Sequence, residues 1–160
     1  MSWRSVALAL LAVLSALPGG AHALEVVTVV QPSDLQVTPG TDARVALQIV
    51  VKPGYHVQAN PVENPSLIPI TLKIDSGPNI SVGEPLYPSP KRIRLPGDGQ
   101  DLVVYDGSFV IALPVKPSRG ATAGETIILR GTLRYQACDD SHCLFPVTLP
   151  VILPVGVKGR

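Results

Sequence analysis

The chain has 160 residues, 46% hydrophobic and 16% charged, with 17 Pro, 14 Gly, two Cys and a formal net charge of +1. That length suits one small domain. The charge lacks the basic surplus that phosphate binding needs, which argues against nucleic acid as a partner, and the apolar content is too high for a disordered chain.

The first element is a targeting segment rather than part of the fold. Arg4 supplies a positive n-region, Val6 to Leu17 is an apolar run, Pro18-Gly19-Gly20 breaks it, and Ala21-His22-Ala23 is a small-x-small cleavage site. Residues 1–23 are therefore expected to be a cleaved secretory signal peptide and residues 24–160 a single domain. The run is too short to span a bilayer. No Cys follows the cleavage point to carry a lipid anchor, so a soluble exported protein is expected, in the periplasm. Taking 23 residues from 160 leaves 137, with 12 basic and 12 acidic side chains and no net charge. Trp3 and Met1 leave with the signal, and Met1 is the only thioether metal ligand.

Of the remaining 137 residues, 16 are Pro and 12 Gly, and this punctuation leaves no room for long helices. The longest stretch free of both is the 14 residues from Thr132 to Phe145. Segments between the breaks are rich in Val, Ile, Leu and Thr with patches of period-two alternation, the pattern of half-buried strands. Strands are expected near Glu25 to Val30, Ala43 to Val51, Ile68 to Ile74, Leu102 to Tyr105, Phe109 to Val115, Thr126 to Ala137 and Leu144 to Val151. Shorter pieces near Ile80 and Ile93 are expected to pair at edges. Asp106-Gly107, between Tyr105 and Ser108, has the composition of a two-residue type I′ hairpin turn. Seven or more short strands with turns every 8 to 12 positions predict an all-β, immunoglobulin-like sandwich. An antibody-type bridge is excluded, because the two Cys lie five apart and no Trp survives processing.

Asn60 to Ser66 and Gly83 to Pro90 read as rigid loops, since proline cannot donate to a ladder. Prolines 85, 88 and 90 pre-set an extended conformation around Tyr87, which makes that loop either a surface connection or a stiff lid carrying one ring. The apolar tail from Leu144 to Val157 is interrupted by Pro146, Pro150 and Pro154 and cannot span a membrane, so it is expected to be a terminal strand.

The chemistry concentrates in Cys138-Asp139-Asp140-Ser141-His142-Cys143. Both Cys sit at the expected tip of a hairpin, where residues i and i+5 face each other across a four-residue turn. Their Cα atoms are then expected roughly 4.4 to 6.8 Å apart, which a disulfide accepts. In an exported protein the pair can oxidise. A ring of about six residues stabilises by only about 2.2 kcal/mol in the chain-entropy model, against about 4.3 for one closing about sixty. A staple is poorly placed here, and small rings across turns tend to be labile. Redox exchange, an inert turn disulfide and a metal site all remain open. Asp139 and Asp140 disfavour a thiolate on Cys138, whereas protonated His142 favours one on Cys143, which makes Cys143 the candidate exchanging sulfur. Tyr87, Tyr105 and Phe145 are aromatic candidates for shielding or modulating the pair. A closed zinc site needs four ligands, and Cys138, His142 and Cys143 supply three at most. No metal or cofactor is therefore expected, although two thiolates leave a Cu(I) carrier as an alternative.

The run Gly131-Thr132-Leu133-Arg134-Tyr135-Gln136-Ala137-Cys138, followed by Cys143-Leu144-Phe145-Pro146, resembles the cysteine hairpin of the amino-terminal periplasmic domain of the DsbD family of thiol:disulfide interchange proteins. Pro53-Gly54-Tyr55-His56, Asn60-Pro61, Leu67-Ile68-Pro69 and Tyr105-Asp106-Gly107 extend the resemblance over roughly Val37 to Val151. It implies an immunoglobulin-like fold whose Cys138 and Cys143 cycle between dithiol and disulfide. Cys143 would form the mixed disulfide, and an aromatic cap loop, matched by position to Tyr87, would shield the pair. It also implies a thioredoxin-like redox protein or a DsbD-type membrane reductase as electron donor and periplasmic client proteins as acceptors, a relay that also serves cytochrome c biogenesis. The chain stops at Arg160 without the membrane and thioredoxin-like domains of that family, so electrons are expected to arrive in trans. The competing expectation is a non-catalytic envelope binding module with a passive disulfide.

Overall fold

The computed structural model describes residues 25–95, 99 and 101–159. The expected signal peptide lies outside the described residues. Twelve strands follow one another: β1 (Val27–Val30), β2 (Gln36–Val37), β3 (Ala43–Val51), β4 (His56–Gln58), β5 (Thr71–Ile74), β6 (Ile80–Val82), β7 (Lys91–Arg94), β8 (Asp101–Tyr105), β9 (Ser108–Pro117), β10 (Thr126–Tyr135), β11 (Ala137–Cys138) and β12 (Val147–Val157). They form three four-stranded sheets, ordered β1-β3-β9-β6, β2-β12-β10-β5 and β11-β4-β8-β7. The fold is the expected all-β, immunoglobulin-like sandwich, with no helix among the described residues.

Alternation builds the core. Val45, Leu47, Ile49 and Val51 of β3 point inward, as do Ile111, Leu113 and Val115 of β9, and they meet Ile127, Leu129, Leu133 and Tyr135 of β10 and Val151, Leu153 and Val155 of β12. The residues between them face out, which is how a period of two builds one buried face. Pro150 and Pro154 fit inside β12 because its outer edge is paired only at Gly156 and Val157, against β2. Gly131 has a different cause. A Cβ there would stand 2.0 Å from the Lys73 carbonyl oxygen of β5, so only glycine lets β5 approach β10.

The Asp106-Gly107 hairpin is corrected by the topology. β8 pairs with β4 and β7, whereas β9 pairs with β3 and β6, so the dipeptide does not join neighbours in a ladder. Gly107 has φ +57° but no described non-glycine residue, Asp106 included, has positive φ, and a type I′ turn needs it at both central positions. The pair is instead a corner, across which one long strand leaves the third sheet as β8 and enters the first as β9. Its partner bends at the same level: the Val51 amide donates to the Gly107 carbonyl, and β3 continues past Lys52–Tyr55 as β4. Corners of this kind let strands switch sheets.

The expected strand from Thr126 to Ala137 also divides. β10 ends at Tyr135, and after Gln136 the chain crosses to the third sheet as β11, where Ala137 faces Val57 and Cys138 faces His56. The proline loop from Gly83 to Pro90 is not a free connection. Its Leu86 exchanges both backbone hydrogen bonds with Ala112 of β9, and the Gly83 amide donates to the Pro114 carbonyl. Asn60-Pro61, in the other expected loop, is a cis peptide.

Candidate redox site

Cys138 and Cys143 are joined in a disulfide at the end of the β10–β12 hairpin, with Cα atoms 3.9 Å apart. The separation is smaller than the sequence spacing alone predicts, and the ladder explains why. The Asp139 amide donates to the His142 carbonyl and the Leu144 amide to the Ala137 carbonyl, so the two Cys form a non-hydrogen-bonded antiparallel pair. Side chains approach most closely at such pairs.

The turn is closed by Asp139, whose Oδ1 accepts the amides of Ser141 (2.7 Å) and His142 (2.9 Å). These two donors favour the anion, first that of His142 and then that of Ser141, and hold the Asp139 carboxyl below its usual range. His142 is exposed, with Nδ1 3.3 Å from the same oxygen. Asp140 is exposed and borders a groove of about 520 Å³ that is also lined by Tyr55, His56, Ile93, Val104 and Asp106.

The two sulfurs occupy different environments. Cys138, on the edge strand β11 of the third sheet, is 2% exposed, whereas Cys143 is exposed at the tip. Phe145, two residues further on, is 93% exposed, far more than any other large apolar side chain described. Tyr87 and Tyr105 are brought together on the core side. Tyr87 packs against the core and its hydroxyl accepts the Leu72 amide at 2.9 Å; the Tyr105 hydroxyl donates to the Pro88 carbonyl at 2.9 Å, and its ring stacks on Phe109. Burial raises both phenols above their usual range. These bonds tie the proline loop to β5 and β8.

Sequence reasoning missed the residue that meets the buried sulfur and the one that faces Cys138 across the ladder. Gln58 is fully buried and its Nε2 donates to Cys138 Sγ at 3.5 Å. His56, 6% exposed, stands opposite Cys138 in the β11–β4 register. The available signal was Pro53-Gly54-Tyr55-His56 in the family resemblance, but His-Val-Gln has no alternation to mark it as a strand, because β4 is buried on both faces. Among the described residues no group of three or more His, Cys, Asp or Glu is placed to hold a metal ion.

Burial lowers the His56 pKa, and the surrounding carboxylates Asp140, Asp106 and Asp139 only partly oppose it. A His whose folded pKa lies below its unfolded value binds more protons when unfolded, so stability is full above about pH 6.5 and falls as the pH drops below it. His56→Gln is expected to flatten that acid limb between about pH 7 and 5 in chemical denaturation. A limb equally steep in the variant contradicts this assignment.

Comparison with known proteins agrees with the geometry. The family described as thiol:disulfide interchange protein DsbD, N-terminal, matches residues 24–153. No curated protein matches over the chain. The N-terminal periplasmic domain of ScsB from Proteus mirabilis superposes with a TM-score of 0.51 at 18% identity, covering 79% of this chain and 44% of that one, so the chain spans less than half of that structure's length. The DsbD N-terminal domain of Neisseria meningitidis in its reduced form gives a TM-score of 0.46 at 19% identity, covering 74% of this chain and 82% of that one. A third structure, the complex of the DsbD and PilB N-terminal domains from Neisseria meningitidis, gives 0.45 at 18%, covering 71% and 77%. Among the described residues no helix is long and apolar enough to cross a membrane.

Proposed function

The chain belongs to the family of the DsbD N-terminal domain, and from that premise we propose that it is a periplasmic thiol–disulfide exchange domain working through Cys138 and Cys143. The observation that carries the reading is the asymmetry of the pair: one cysteine is exposed at a turn and its partner is 2% exposed. A thiolate must reach the sulfur it attacks, and Cys143 is the one that can be reached.

The steps follow from that asymmetry. A thiolate of a thioredoxin-like donor attacks Cys143 Sγ, the Cys138–Cys143 bond breaks, and its electron pair leaves on Cys138 Sγ. The donor's second thiolate then attacks the mixed disulfide and releases Cys143. Two electrons and two protons pass to this chain, and the donor becomes a disulfide. Cys143 next attacks a client disulfide, and Cys138 resolves that adduct and re-forms the bond. Exposed Phe145 offers the incoming protein an apolar contact beside Cys143. The signal peptide over residues 1–23 delivers the domain to its compartment.

Reduced thioredoxin is expected to open the disulfide within minutes, with a reduction potential above about −300 mV. A disulfide that resists reduced thioredoxin and has a potential below that value belongs to a passive binding module instead.

A further inference from the structure

Resting on the exchange reading above, we propose that Gln58 and His56 form a buried polar receptor for the Cys138 sulfur in its reduced form, which favours the dithiol over the disulfide. In the oxidised protein the Gln58 carboxamide donates through Nε2 to Cys138 Sγ at 3.5 Å. Its other end, Oε1, is buried with no hydrogen-bond partner among the described residues, and so is His56 Nε2. Buried polar atoms are nearly always paired, so two orphans on one short strand beside a reactive sulfur need a cause.

The redox state of Cys138 supplies one. A disulfide sulfur has no proton to donate, whereas a thiol has one S–H. On reduction the donor's two electrons and two protons convert the S–S bond to two S–H groups, and the donor dithiol becomes a disulfide. Cys138 then gains the proton that a waiting acceptor needs. Gln58 and His56 share one face of β4, with Val57 between them turned to the core, and Cys138 faces His56 across the ladder. Burial lowers the His56 pKa and so favours the neutral imidazole, one of whose two ring nitrogens is an acceptor. During exchange the same carboxamide serves the other form, because its N–H group donates to the Cys138 thiolate as that sulfur leaves Cys143. One side chain therefore matches both protonation states of the reduced sulfur, and the single S–H that reduction creates can be accepted by Gln58 Oε1 or by an unprotonated His56 nitrogen, whereas the oxidised sulfur has no proton for either.

The test is the equilibrium of the mature domain with glutathione or dithiothreitol buffers, for the wild type and for Gln58→Met, which keeps the length of the side chain and removes the carboxamide. Gln58→Met is expected to shift the equilibrium about tenfold toward the disulfide, equivalent to a potential about 30 mV more negative. His56→Phe is expected to move it in the same direction. A folded Gln58→Met protein with an unchanged or more positive potential overturns the proposal. Should that variant not fold, the wild type still decides: the Gln58 side-chain amide and His56 ring resonances are expected to shift strongly between the oxidised and reduced proteins, and resonances that stay fixed overturn it. The potential is read with small thiols, so it remains measurable if no protein partner exchanges with the pair, and failure of the exchange reading shows separately.

Discussion

With Cys143 replaced by serine, attack on the disulfide of an oxidised thioredoxin-fold partner is expected to fall to background, whereas in Cys138→Ser the Cys143 thiolate is expected to open that disulfide and hold the partner in a mixed disulfide. The prediction comes from access and leaving-group position rather than from residue type, since both residues are cysteines in one six-residue ring. Cys143 sits at the tip of the turn, and Cys138 is buried on β11 with Gln58 against its sulfur. In the reduced wild type, an alkylating reagent is therefore expected to modify Cys143 at least about tenfold faster than Cys138, because reactivity follows thiolate exposure. Equal rates at the two positions contradict the division of roles. The flanking charges act in the same direction. Asp139 is drawn into the turn by the Ser141 and His142 amides, and His142 is left exposed on the Cys143 side.

The second large effect is on stability. Tyr135 is the largest fully buried side chain described, at the end of β10 just before the chain crosses to β11. Tyr135→Ala is expected to cost about 3–5 kcal/mol, the range for truncating a large aromatic in a core, and a melting curve or denaturant titration reads it directly. Tyr135→Phe removes only the hydroxyl and keeps the buried ring, and is expected to cost about 1 kcal/mol. Burial raises the Tyr135 phenol above its usual range, so the ring remains neutral throughout the physiological range and neither variant changes the charge of the core. Equal stability of the Ala and Phe variants contradicts the role assigned to the ring.

Much of the sandwich was legible because its long strands are buried on one face. Ala43 to Val51, Phe109 to Val115 and Thr126 to Tyr135 are rich in Val, Ile and Leu with patches of alternation in sequence, and they alternate in burial. Asp106-Gly107 misled for a physical reason: a glycine with positive φ can reverse a chain or bend it, and only the strands on either side, paired in different sheets, decide between the two. β4 was invisible because both of its faces are covered, which erases alternation. The cysteine pair was legible because its partners lie five residues apart, and ladder geometry follows from that spacing. Gln58 and Cys138 are separated by 80 positions, and they meet only through the register of β4 against β11. Tyr87 was legible as an aromatic ring on a stiff loop, but its hydroxyl partner on β5 depends on how that loop docks along β9.

The central claim is that a partner protein is captured on Cys143. Its most direct measurement is the mixed disulfide formed by the Cys138→Ala protein in periplasmic extract or with a reduced thioredoxin-fold protein that carries a single active-site cysteine, after reoxidation, resolved on a non-reducing gel and mapped by mass spectrometry. The expected result is a reducible adduct whose linked peptide contains Cys143. No adduct, together with a wild-type disulfide that reduced thioredoxin leaves intact, contradicts the account.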